Sequence, residues 1–99
     1  MSAAGHAALE QALALSDSML AAAREDRWDA VVELDGRRQP LLHAGHPRDP
    51  RSGSLLRQLL ERNTELLALA GRAREAAAAA LGRHSHAHRA LRAYVGLAG

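Results

Sequence analysis

Apolar residues recur at steps of three and four along most of the chain, the spacing of a helix with one buried face. From about Ala3 to Arg24, Leu9, Leu13, Ser16, Leu20 and Ala23 share such a face, and Ala12 and Met19 widen it. Leu15 lies off the stripe and is either exposed or in contact with a partner. A second helix is predicted from near Asp26, with Asp26 as N-cap and Asp29 as its reciprocal partner three residues on. Trp28, Val31, Val32, Leu34, Asp35, Arg38, Leu41 and Leu42 give it a broad face. Gly36 and Pro40 sit inside it. Pro40 removes a backbone donor and should bend the helix there, while Leu41 and Leu42 keep the apolar phase.

The run from Gly45 to Gly53 contains Pro47 and Pro50 and reads as a loop. Asp49-Pro50 fits an N-cap followed by proline at the first helical position; Ser52 or Ser54 are the other candidate caps. Beyond it, Leu56, Leu59, Asn63, Leu66, Ala70, Ala73, Ala77, Ala80, His84, Ala87, Leu91 and Tyr94 hold a heptad register without a skip. Unbroken from Ser54 to Val95, this third helix would run roughly 63 Å, against about 30 Å for each of the first two. Gly71 and Gly82 weaken it by about 1 kcal/mol each relative to Ala. Two short helices cover only part of the long one. Its second half therefore either turns back near Gly82 as a fourth helix or projects with the stripe Ala73–Tyr94 unpartnered. The expected fold is all-α: a single domain over residues 1–99, an antiparallel bundle of two short helices and one long one. An apolar stripe left open and rimmed by charge marks an interaction surface.

Composition narrows the picture. The chain has 23 Ala and 17 Leu against 3 Val, one Thr and no Ile. Its aromatics are Trp28 and Tyr94, so the residues that strands favour are nearly absent. There is no Cys, hence no disulfide framework, thiolate metal site or cysteine nucleophile. The N-terminus lacks the basic and apolar regions of a secretory signal, no window is apolar enough to span a membrane, and a cytoplasmic (cytosolic) location is expected. Residues 1–35 carry a net charge of −5 and residues 36–99 a net +7, with every basic residue an Arg. A codon-biased genome explains the arginines more simply than phosphate contact does, because the excess over the whole chain is only +2.

The chemistry on offer is thin. There is no Lys, no His-Glu-x-x-His and no Gly-x-Ser-x-Gly. No enzyme activity and no cofactor are expected. His84 and His88 share a helical face as a possible two-ligand metal pair, but no third ligand is evident, and the run His84–His88 is read as a solvated His-rich stretch. Asp35 and Arg38 are an intrahelical ion pair, a polar anchor between helices or a contact for a partner. Asn63, at a core heptad position, is expected to fix register. Trp28 is expected to pack the bundle end.

The order of these elements resembles the FliT-type flagellar export chaperones. The segment Leu13–Leu42 carries a Met19-Leu20 pair, a short turn, Trp28, then Asp35 and Arg38 three apart, then Leu41-Leu42. The stretch Leu59-Leu60-Glu61-Arg62-Asn63-Thr64-Glu65-Leu66-Leu67 is similar to that family's third helix, and Arg89–Tyr94 to its closing motif. The resemblance implies a cytoplasmic chaperone of the flagellar type III export system. Its client would be the filament-cap protein FliD, held by its C-terminal amphipathic helix and delivered to the export gate FlhA. Some members also bind a flagellar transcriptional regulator or the export ATPase apparatus. The C-terminal tyrosine of the family is associated with export-gate docking, and Tyr94 matches it. Longer members carry a further helix that folds over the groove, and no matching segment is seen up to Gly99. The His run and Pro40 depart from the family pattern.

The expected client contacts are Leu42, Leu56, Leu59 and Leu66, with Tyr94 for the gate and Asp35, Arg38 and Asn63 as structural polar residues. Two other readings compete. One is a basic helical nucleic-acid-binding or regulatory module, which scattered arginines and scarce aromatics disfavour. The other is a self-associating coiled-coil adaptor using Ala73–Tyr94. Monomer and homodimer are both open.

Overall fold

The computed structural model describes residues 2–98, with side chains described over residues 5–93. Three helices follow one another: α1 Ser2–Arg24, α2 Trp28–His43 and α3 Pro50–Ala98. Among the described residues there is no strand, as the Ala- and Leu-rich composition requires. Consecutive helices run antiparallel, which leaves α1 and α3 parallel. Their seam is crossed in ascending order by His6–Asp49, Glu10–Arg51, Asp17–Arg62 and Arg24–Glu65.

The hub is α1. Both other helices pack on it, whereas no Cα of α2 comes within 8 Å of a Cα of α3. Two apolar clusters hold the arrangement. In one, Leu9 and Ala12 of α1 meet Leu55 and Leu59 of α3, with Leu13, Leu41 and Leu42 against them. In the other, Met19, Leu20 and Ala23 meet Leu66, with Trp28, Val31, Leu34 and Leu69 against them. Each fully buried large apolar side chain contributes about 1.5–3 kcal/mol.

Between the clusters lies a polar layer. Arg38, the one buried residue of α2, is only 6% exposed. Its Nη1 donates to Ser16 Oγ at 3.0 Å, and its Nε and Nη2 donate to Asp35 Oδ1 at 3.2 and 2.8 Å. Nη2 also reaches Asn63 Oδ1 at 3.5 Å. Ser16, fully buried, donates in turn to the carbonyl of Ala12 at 2.9 Å. One guanidinium thus touches all three helices, and a small hydroxyl at position 16 makes room for it.

The α1–α2 turn is closed by backbone. Asp26 N–H donates to Ala23 O at 3.0 Å and Arg27 N–H to Ala22 O at 2.9 Å, the paired bonds of a Schellman cap. Asp26 takes the left-handed position of that cap, at φ 61°. The expectation that Asp26 caps α2 is therefore corrected. Arg27 precedes the helix without a side-chain cap, and the Asp26 carboxylate instead accepts from Trp28 Nε1 at 2.7 Å. Local sequence offers both roles to an Asp, and the need to end α1 decided.

At the other end, Asp49 caps α3. Its Oδ1 accepts from Ser52 N–H at 2.8 Å, and Gly53 N–H donates to Asp49 O at 3.1 Å. Pro50 takes the first helical position, where its missing N–H is harmless. His6 of α1 bonds the same carboxylate at 2.9 Å. The loop lies so close to α1 that a Cβ at Gly5 would sit 2.7 Å from Pro47 Cδ.

Pro40 does not end α2, which runs on to His43 with Leu41 and Leu42 in the core. Gly82 does not break α3, which continues as one helix to Ala98. Past the end of α1 the helix projects. Every residue from 74 to 93 is exposed, and the described chain measures 78 × 19 × 19 Å. The heptad stripe needs one revision. The seam facing α1 runs through Ser52, Leu55, Leu59, Arg62, Leu66 and Leu69, so Leu55 rather than Leu56 is in the core.

Two outcomes follow from this packing. Arg38→Ala strands the partners of a buried charge and should lower urea-unfolding stability by about 2–3 kcal/mol. Arg38→Met refills the space with apolar volume but makes none of these hydrogen bonds, so it should recover less than half of that loss; a Met variant as stable as the parent would mean that the hydrogen bonds are not what holds the layer. The second concerns acid. The Ser52 backbone N–H holds the Asp49 carboxyl below its ordinary value, with burial opposing and His6 assisting. A depressed carboxyl stabilises the fold above its unfolded pKa, and that stability is lost as pH falls through the folded value. Thermal melts below about pH 4 should therefore show a shallower acid loss in Asp49→Asn than in the parent.

Candidate functional site

Because the backbones of α2 and α3 both lean on α1 and stay apart, a groove runs between them, with Met19 of α1 and Leu59 and Leu66 of α3 at its base. Its upper part, about 390 Å³, is lined by Met19, Trp28, Val31, Val32, Leu66, Leu67 and Ala70 together with polar side chains. Its lower part, about 290 Å³, is lined by Leu42, Leu56, Leu59 and Leu60. Arg38, Gln39 and Asn63 line both parts, so the polar layer of the core surfaces at mid-groove. Asp35 joins it there, its Oδ1 also accepting from Gln39 Nε2 at 3.0 Å.

The walls carry the apolar surface that packing leaves over. Val32 is 71% exposed, Leu60 and Leu67 66% each and Leu56 46%. Large apolar side chains at these positions on facing helices form a strip, and such a strip is a contact surface. The helical period explains it. On α3, positions 56, 60, 63, 67 and 70 lie one step round from the α1 seam. In a closed three-helix bundle α2 would cover them.

The four leucines expected to meet a client all line the groove, at two depths. Leu59 and Leu66, each 6% exposed, belong to the floor and the core; Leu42 is half-buried, and Leu56 stands open on the wall. Leu60, Leu67 and Val32 were absent from that expected set. Their signal was available as leucines flanking the heptad positions on α3 and a valine beside Val31. Asn63 is half-buried in the groove, beside Arg38, rather than inside a helix seam. Trp28 sits at the upper end, half-buried against the second cluster. Leu15 lies half-buried in a separate depression between α1 and α2, with Arg37, Pro40 and Leu41.

The backbone of α3 extends through position 94, but the side chain of Tyr94 lies outside the described residues. His84 and His88 are exposed on the projecting half of α3. Among the described residues, no three His, Asp or Glu side chains gather as metal ligands, and no helix is long and apolar enough to cross a membrane.

No curated protein and no solved structure matches the chain. A family model, described as Flagellar protein FliT, matches residues 6–96 and so takes in both walls of the groove, its floor and most of the projecting arm. A match over nearly the whole chain makes this protein a member of the FliT family of flagellar export chaperones.

Proposed function

We propose that the groove between α2 and α3 holds the C-terminal amphipathic helix of the filament-cap protein FliD, in the cytosol, and that the chain then delivers this client to the export gate FlhA. The observation that carries the reading is the gap itself. Two helices that fail to close over their shared floor leave Leu56, Leu60, Leu67 and Val32 uncovered. From Trp28 to Leu42 the groove is about 20 Å long, room for a client helix of about 14 residues. Such a helix would seat apolar anchors at i, i+3 or i+4, and i+7. Leu42, Leu56, Leu59 and Leu66 provide the apolar bed, and Asp35, Arg38 and Asn63 keep its floor in place.

The gate contact is assigned to Tyr94 on the family resemblance. Along an unbroken α3, position 94 lies about 40 Å from Leu66, so a client in the groove leaves that end of the arm free. On this reading capture and delivery use separate ends of one helix.

Leu60→Asp and Leu67→Asp test the groove directly, since both side chains are largely exposed and their loss should leave stability within about 0.5 kcal/mol. Each should weaken binding of the cap protein's C-terminal segment by about tenfold or more in calorimetry, the worth of one large apolar contact. Undiminished binding by the folded variants would remove the groove from the account. Leu59→Asp is the poorer probe, because Leu59 also builds the core. Tyr94→Ala should keep client affinity while reducing secretion of the cap protein.

A further inference from the structure

Nothing in the groove uses the histidines of the arm. His84 and His88 stand one helical turn apart on α3, their rings within 13° of parallel and their centroids 6.4 Å apart. Both are exposed, and among the described residues no other helix packs on this part of α3. We propose that this pair is a bidentate site for a borderline transition-metal ion such as Ni²⁺, Cu²⁺ or Zn²⁺, with water completing the coordination shell.

The spacing, though not the ring orientation, is close to what chelation needs. Two imidazoles that give one nitrogen each to a shared tetrahedral ion, at about 2.0–2.1 Å, have ring centres roughly 5 Å apart. The near-parallel rings must turn until both in-plane lone pairs converge on one point as well as close the spacing, and both side chains are exposed, with no packing to oppose this. His86, two residues from each, points to a different face of the helix and cannot join the pair. Neutral imidazole suits these metals, whereas Mg²⁺ and Ca²⁺ want oxygen ligands that this turn lacks. Arg83 and Arg89 stand beside the site and Glu75 is two turns away, so the attraction is coordinative and gains nothing from the local charge.

A bound ion would have a structural effect. The arm holds its helix without tertiary contact, and Gly82 weakens it just before the pair. A clamp between residues four apart ties one turn into helical geometry, so binding and helix formation reinforce each other. The site would stiffen the outer arm independently of what the groove holds.

Calorimetric titration of the full chain with NiCl₂ at about pH 7.5 is the test. One saturable site is expected, with His84→Ala and His88→Ala each weakening it by about tenfold or more through loss of the chelate. His86→Ala should change it less than about twofold. Helix ellipticity on heating gives a second readout: Ni²⁺ should raise the midpoint in the parent and in His86→Ala, and in neither of the other two. An equal loss in His86→Ala would reveal a diffuse histidine tract, and unchanged binding in His84→Ala and His88→Ala would place the ion elsewhere; either result overturns the assignment.

Discussion

A single buried guanidinium ties this fold together. Taking Arg38 out of water is costly, and only dense hydrogen bonding makes it tolerable. Ser16, Asp35 and Asn63 supply that bonding from three different helices. The layer has a directional consequence that an apolar core would lack. It fixes which face of α2 meets α1, because rotating α2 by one residue would bury a charge with no partner. The aliphatic clusters above and below supply most of the burial, while the polar layer sets their register.

The same layer keeps the groove open. Arg38 reaches toward α3 through Asn63 at the longest of its contacts, and the two helices approach no further. The side chains that would fill the interface of a closed bundle stay as the groove walls. The open groove is thus the residue of incomplete packing: an apolar strip on two walls, a shared base, and a polar midpoint that resists simple hydrophobic collapse. Ion pairs along the α1–α3 seam, such as Asp17–Arg62, are exposed enough to add little stability. They rim the packed side of α1 and leave the groove side free.

Much of this was legible in the sequence. The helical period marked all three helices, and the length mismatch between them required either a fold-back or a projection. The Asp49-Pro50 pair marked the start of α3, because an N-cap before proline has a mechanical reason. Asp26 misled, since its carboxylate suits a cap while its backbone tolerates the left-handed turn that α1 needed. The heptad register placed Leu56 in the core and missed Leu55, because periodicity shows that a face is apolar but not how many neighbours share it. For that reason Leu60 and Leu67 were passed over. A residue one step round from a seam is core in a closed bundle and surface in an open one, and only the separation of the α2 and α3 backbones distinguishes these.

The proposed client-binding cleft is the open space between α2 and α3. Trp28, the one tryptophan of the chain, stands half-buried at its upper end and reports on it without any label. Titrating a tryptophan-free helical segment of the cap protein into the full chain should shift Trp28 emission to shorter wavelength, saturating with the calorimetric binding curve, as the client excludes water from the groove. Binding at full affinity with Trp28 emission unmoved would place the client elsewhere and contradict the account.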